Sequence, residues 1–265
     1  MLTKGRRWFL GVSAATALVP IVALLGLYVS CWVNQRKAEK LFSRVFALRV
    51  GESTFDEAQA LWKEYGSLPG FSDQKCDRSE CTFEIARWNF VSEHRIDWKV
   101  LRALGIKPDL AYATLTIANG KLSNTEFNLL YESEIGFMVV ARVDSVESFS
   151  PKFLCGYLSL QRHPTYVVSR AHRSGGIFGE EIEVSLAPGA PESARKLAQA
   201  INWNCMTAVF ACEGFSRDMT KGLQAIMPAA YAEFLRDREW ENDKRFQDYP
   251  QLVRDCHVAP LLGAK

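Results

Sequence analysis

Cysteine is the residue type in this 265-residue chain whose spacing most directly indicates covalent chemistry. Six cysteines lie beyond the apolar start of the chain, and an even number in an exported domain is typical of disulfide bonds. Cys76 and Cys81 are separated by four polar residues, so a turn can bring their Cα atoms within the roughly 4.4 to 6.8 Å that a disulfide requires. Sequence alone leaves connectivity open among about fifteen pairings, and locality favours Cys76–Cys81, Cys205–Cys212 and Cys155–Cys256.

Two other interpretations of the cysteines remain open. Free thiols, buried as small apolar side chains, would indicate a domain in the reducing cytosol. Metal binding is the third interpretation, but the sequence has no C-x-x-C pair, and only His257 adjoins a cysteine, Cys256. Cys205 and Cys212 would lie about 10.5 Å apart along an unbroken helix, so a bond between them requires the helix to end first. We therefore expect disulfides, with no metal and no cofactor.

A second group of residues has spacing that could support nucleophilic chemistry. Ser193 and Lys196 match the S-x-x-K pattern of penicillin-binding enzymes, but the partner patterns S-D-N and K-T-G are absent, so we interpret Ser193 as a helix N-cap. The glycines of residues 174–180 lack phosphate-loop spacing and predict a hairpin loop. No H-E-x-x-H pattern exists, yet a Ser-His-Asp set could be assembled in space from the four histidines His94, His163, His172 and His257.

The elements that must position any such site begin with a long apolar segment. Residues 1–7 form a short basic tail, and residues 8–33 contain no charged side chain over 26 positions. As a helix these positions extend about 39 Å, more than the roughly 30 Å hydrocarbon core of a bilayer. Trp8, Tyr28 and Trp32 lie near the two ends, where amphipathic rings prefer the membrane interface. We predict a transmembrane helix over residues 8–33 whose partner is the lipid bilayer.

The same segment has other interpretations. A cleaved signal peptide is usually shorter and ends in small residues, and a buried core helix rarely needs so many uncharged positions. "RRWFL" resembles a twin-arginine export signal, and "YVSC" resembles a bacterial lipoprotein cleavage site that would lipidate Cys31. Basic residues flank the segment on both sides, so the positive-inside rule leaves its orientation undecided. We expect residues 34–265 to form one extracytoplasmic domain, because long domains translocate regardless of charge and the cysteines favour an oxidising space.

The pattern along that domain predicts an α+β fold, with a mainly antiparallel sheet and packed helices. Strands are predicted from Cys81, on both sides of an Asn119-Gly120 hairpin turn, and over residues 136–146, 165–172 and 180–186. Sequential strands with short links usually pair antiparallel. Helices are predicted over residues 35–48, 54–65, 97–105, 194–208 and about 228–246. The helix over residues 35–48 has three interpretations: it continues the membrane segment, it lies on lipid headgroups, or it is an ordinary core helix with a solvated face.

The stretch "LRVGESTFDEAQALWKEYG" at residues 48–66 predicts a capped helix. Thr54 is an N-cap with Glu57 three positions later, which is a capping box, and Gly66 ends the helix. The stretch resembles a helix-start motif in small outer-membrane assembly lipoproteins and in β-lactamase-inhibitor-like domains, where the helix packs on an antiparallel sheet. The resemblance covers some 20 residues and implies α+β architecture and a non-enzymatic role.

Composition narrows the function classes without selecting one. The net charge is +2, which gives no reason to expect a nucleic-acid partner, and 48% apolar with 12% aromatic residues indicates a packed core rather than disorder. We expect a bacterial envelope protein that binds or scaffolds without catalysis, with another envelope protein as a second partner. The alternatives are an envelope hydrolase with a spatially assembled Ser-His-Asp site, and a tethered domain facing the cytosol, which requires free thiols.

Overall fold

A computed structural model of the chain describes residues 4–66, 76–88, 109–131, 136–144, 165–172, 178–206 and 219–241. Within these ranges the helices are α1 (Lys4–Ala47), α2 (Phe55–Tyr65), α3 (Glu192–Gln199), α4 (Met219–Ile226) and α5 (Pro228–Glu241), with a 3₁₀ turn at Trp203–Met206. The strands are β1 (Glu80–Trp88), β2 (Asp109–Ala118), β3 (Lys121–Tyr131), β4 (Gly136–Asp144), β5 (Tyr166–His172) and β6 (Phe178–Leu186). This mixture of helices with one mostly antiparallel sheet confirms the predicted α+β class.

The described strands form one six-stranded sheet in the order β1-β2-β3-β4-β6-β5. Strands β1 to β4 pair antiparallel in sequence order, as predicted. The β2–β3 turn has positive φ at both central residues, 54° at Asn119 and 75° at Gly120, which is the geometry that twisted hairpins prefer. A side chain at position 120 would also meet the carbonyl oxygen of Arg78 at 3.5 Å.

The prediction that sequential strands pair antiparallel is confirmed for β5 and β6 but was wrong for β4 and β5, which are not neighbours in the sheet. Strand β4 pairs parallel with β6, and β5 lies at the edge of the sheet, paired antiparallel with β6 alone among the described strands. No local pattern indicates this crossover, because alternation predicts a strand but not which strand it pairs with. Strand β6 also begins at Phe178, inside the stretch that we predicted as a loop.

Helix α1 is one continuous helix of 44 residues that joins the apolar segment to the predicted juxtamembrane helix. Of the interpretations of residues 35–48, the structure therefore supports continuation of the apolar segment, packed on the domain. In its C-terminal part the apolar face is buried against the sheet, at Ala38, Leu41, Phe42, Val45 and Phe46. Pro20 lies within the helix, where its missing N–H is tolerated.

The centre of the core is an aromatic contact between three elements. The ring of Phe42 in α1 lies 4.8 Å from that of Phe127 in β3 and 5.7 Å from that of Trp203 in the 3₁₀ turn. Phe42 and Phe127 are 3% and 0% exposed. Edge-to-face aromatic contacts of this kind stabilise beyond the area they bury, so the second half of α1 belongs to the folded domain.

The predicted capping box at the start of α2 is confirmed. The Thr54 hydroxyl oxygen accepts a hydrogen bond from the Glu57 backbone N–H at 3.4 Å, and the Glu57 carboxylate accepts one from the Thr54 N–H at 2.7 Å. Its apolar residues Ala58, Leu61 and Tyr65 are buried, and the helix packs beside β1. Gly66 ends it with φ of 86°.

Two helix predictions in the C-terminal region were wrong in detail. Helix α3 starts at Glu192 with Pro191 as its N-cap, so Ser193 lies inside the helix and does not cap it. The helix ends at Gln199 instead of running to residue 208, although Ala194, Ala198, Ile201 and Cys205 are buried as predicted. Helix α4 was not predicted, and α5 begins at Pro228 as expected. The helix predicted at 97–105 lies outside the described residues.

Candidate functional site

The first candidate site is the exposed apolar surface of α1. One helix among the described residues is long and apolar enough to cross a membrane, judged by length and composition, and only 11% of its most apolar window is buried. A core helix of a soluble domain has the same composition but is mostly buried. Large side chains remain exposed from Leu18 to Val33, for example Val19 at 69% and Leu25 at 58%. A contiguous exposed apolar surface of this extent is typical of a site that interacts with lipid or with another protein.

The helix passes from this surface into the domain within a few residues. Cys31 is 3% exposed, Asn34 9% and Gln35 3%, whereas Trp32 is 46% exposed. One side of the helix is therefore already covered at the level where the apolar run ends. A lipid thioether on Cys31 would have to be accommodated where its side chain is packed, so this burial argues against the lipoprotein interpretation.

The exposed side of α1 beyond Val33 carries basic residues. The guanidinium of Arg36 lies 5.6 Å from the centre of the Trp32 ring, a cation–π contact, and 2.9 Å from a Glu39 carboxylate oxygen. One turn and two turns further, Lys40 and Arg44 both approach Glu64 of α2, at 3.7 and 3.3 Å. Lys37 is exposed and forms no ion pair with the described residues.

The disulfide prediction is confirmed for its most local pair. Cys76 and Cys81 are bonded, with Cα atoms 4.6 Å apart. The turn between them is held by Asp77, whose carboxylate accepts hydrogen bonds from the N–H groups of Ser79 at 2.7 Å and Glu80 at 2.9 Å. The Ser79 hydroxyl bond to the carboxylate, with these N–H bonds, lowers the pKa of Asp77. The loop is thus shaped by hydrogen bonds as well as by the covalent link.

The other two predicted bridges reach outside the described residues. Cys205 is disulfide-bonded and 1% exposed, and its predicted partner Cys212 lies outside the described ranges. Cys155 and Cys256 also lie outside them. Within the described part of the chain, no group of three or more His, Cys, Asp or Glu side chains is arranged to hold a metal ion.

The sheet face opposite α1 carries a charged cluster that the sequence analysis did not single out. Arg142 of β4 lies 2.5 Å from a Glu183 carboxylate oxygen, 3.2 Å from Asp144 and 3.8 Å from Glu126. Its Nε contact with Asp144 is an ion pair without hydrogen-bond geometry. Asn124 donates to the other Asp144 oxygen at 2.6 Å. The three acids lie on the adjacent strands β3, β4 and β6. The alternation of side chains along each strand would have predicted that they share one face of the sheet, but only if the β4–β6 pairing had been known.

Burial sets the protonation behaviour of this cluster. It raises the pKa of Asp144, and Glu183 and Glu126 raise it further, while Arg142 opposes them. For Arg142 burial lowers the pKa, but the carboxylates of Glu183, Asp144 and Glu126 outweigh it and the net direction is upward. A guanidinium fills the space between the acids, so the cluster acts as an internal ion network that joins three strands.

Among the residues that the structure describes, the other candidate groups are not brought together into a catalytic set. Ser193 and Lys196 are both exposed on α3, and no hydrogen bond joins them within the described part of the chain. His94, His163 and His257 lie outside the described residues, and of His172 only the backbone is described, so the Ser-His-Asp hypothesis stays a prediction. A shallow cavity of about 310 Å³ lies between the turn after α1 and the start of α3, and its lining is Arg49, Val50, Glu52, Pro188, Glu192 and Arg195.

Comparison with known proteins identifies no relative: no family model, no curated protein and no solved structure matches the chain.

Proposed function

We propose that this chain is a single-pass membrane protein of the bacterial envelope, whose domain binds or scaffolds without catalysis. The observation that carries the proposal is the division of α1. Its residues from Leu18 to Val33 expose large apolar side chains, whereas its residues from Ala38 to Phe46 form part of the domain core. A helix with an apolar exposed half is stable in lipid and unstable in water.

The disulfides support a domain outside the cytoplasm. Disulfides persist in oxidising compartments and are rare in the cytosol. The Cys76–Cys81 bond and the bonded state of Cys205 fit that setting. The short resemblance at residues 48–66 to small envelope proteins agrees with a binding role. On this proposal the span holds the domain at the membrane surface, where another envelope protein can meet it.

Arginine substitutions at the centre of the span test the anchor. Val22 and Leu25 are 59% and 58% exposed, and each replacement by arginine at the bilayer centre costs about 3 to 4 kcal/mol of insertion free energy. We expect the V22R/L25R double variant to lose membrane flotation after alkaline carbonate extraction, while the wild-type chain floats. The matched control is V33R/L235R, which makes the same two exchanges at the helix boundary and on α5, and should float like the wild type. Extraction of the wild-type chain by carbonate would refute the anchor.

Thiol labelling tests the compartment independently. In cells treated with a membrane-permeant alkylating reagent before lysis, Cys76 and Cys81 should stay unlabelled until a reductant is added. Labelling of both without reductant would place the domain in the cytosol and leave the anchor itself untouched.

A further inference from the structure

The spacing of basic residues along α1 matches the full thickness of a bilayer. Arg7 and Arg36 are the last basic residue before the apolar run and the first after it. They are separated by 29 positions of one continuous helix, which is about 43 Å. A bilayer including both headgroup layers is about 40–45 Å thick. A span centred on the apolar run therefore places these two positions in opposite headgroup layers.

Depth separates the basic residues after the span into two groups. Measured along the helix from the midpoint between Arg7 and Arg36, Arg36 and Lys37 lie about 22 and 23 Å away, at the outer edge of a headgroup layer that ends roughly 20 to 22 Å from the bilayer centre. Lys40 and Arg44 lie about 28 and 34 Å from that midpoint, well outside the layer.

The protein contacts of the two groups follow the same division. Lys40 and Arg44 are paired with a protein carboxylate, that of Glu64. Lys37 is exposed and forms no ion pair with the described residues, and Arg36 is 58% exposed and lies over the Trp32 ring. The bond from Arg36 to Glu39 occupies one terminal nitrogen, and a guanidinium has further donors for a second anion. The two cations at headgroup depth are thus the ones still available to a ligand.

We propose that Arg36 and Lys37 bind the phosphate groups of anionic phospholipids. This inference rests on the proposed membrane anchor and specifies which lipids surround it. Trp32 supports the site in two ways: it orients Arg36, and an exposed Trp at this depth is stable at the boundary between chains and headgroups. The opposite side of the helix is closed by the domain at Cys31, Asn34 and Gln35, so lipid reaches the helix from the exposed side only.

Lipid titration of the full-length protein tests the site. The protein is purified in mild detergent, and native mass spectrometry measures the affinities for added phosphatidylglycerol and phosphatidylcholine. A basic side chain near anionic headgroups contributes about a fivefold preference. We expect R36Q and K37Q each to lower the phosphatidylglycerol preference about fivefold, and the double variant to abolish it. R36K keeps the charge and should keep the preference.

The control is K121Q, which removes an exposed lysine at the hairpin turn, where β3 bonds to the residues that follow the C-terminal end of α1 and not to its apolar N-terminal part. It should bind both lipids like the wild type. Excess inorganic phosphate should fail to compete if the site takes lipid, and competition would show a free-anion site instead. Equal affinity of the wild-type chain for the two lipids would overturn the proposal, as would loss of the preference in K121Q. The carbonate extraction described above reports the anchor separately, so failure of the lipid site and failure of the anchor give different results.

Discussion

Replacing Phe42 by alanine tests whether α1 serves the domain as well as the membrane. Phe42 is 3% exposed and touches the rings of Phe46, Phe127 and Trp203, at centroid distances of 4.6, 4.8 and 5.7 Å. Truncation of a buried phenylalanine costs about 3 to 5 kcal/mol through lost burial and the remaining cavity. Because these ring contacts join three elements that cannot easily collapse inward, we expect the upper part of that range.

The assay is urea unfolding of the full-length protein in detergent micelles. Trp203 lies beside the substituted ring, so its fluorescence contributes to the signal that reports the loss of local packing. The matched control is Y28A, an aromatic residue of the same helix that is 36% exposed on the apolar surface. It should change the unfolding free energy by less than about 0.5 kcal/mol. A loss below about 1 kcal/mol in F42A would show that the domain folds without α1 and would refute the reasoning.

Three further predictions concern the domain. T54A removes the hydroxyl half of the capping box and should cost about 1 kcal/mol in the same unfolding assay; an unchanged value would mean that α2 is held by packing alone. G120A forces a side chain into a left-handed conformation with φ of 75° and should lower the free energy of unfolding by about 1 to 2 kcal/mol. The control G189A has open space around it and should lower the free energy of unfolding by less. Equal losses in the two variants would contradict the turn geometry. The pKa of Asp144 is raised in the folded state, so the folded protein binds the Asp144 proton more tightly than the unfolded chain does. The stability that this protonation contributes is complete below the unfolded pKa of Asp144 and is lost as pH rises through its folded pKa. The stability of D144N relative to wild type should therefore increase from pH 4 to pH 7, and a difference independent of pH would contradict the assigned cause.

Local signals in the sequence predicted the elements well. The capping box at Thr54 and the Asn119-Gly120 turn depend on interactions within four residues, so the local sequence was sufficient to predict both. The Cys76–Cys81 bond was predictable because the two cysteines are only five positions apart. Apolar strand-like runs predicted all six described strands, and alternation supported the prediction at the run from Cys81 and on both sides of the hairpin turn.

Features that depend on distant parts of the chain were not predictable. The parallel pairing of β4 with β6 brings Arg142 to Glu183, 41 positions later, and no local pattern encodes that neighbour. The cap of α3 was misassigned because Ser193 is a good capping residue, yet the helix already begins one residue before it, after Pro191. The candidate membrane surface was predicted from composition, while the burial of Cys31 at its end required the packed domain.

The shared use of α1 by the apolar surface and by the core limits how the domain could be released from the membrane that we propose it is anchored to. Shedding by a protease, or truncation to obtain a soluble fragment, would have to cut the chain ahead of Cys31. A cut after Ala47 removes the strip of side chains that covers the sheet, namely Ala38, Leu41, Phe42, Val45 and Phe46. The remaining fragment would expose that sheet face to water and aggregate, so a soluble domain has to keep the C-terminal part of α1 and lose only the apolar part ahead of Cys31.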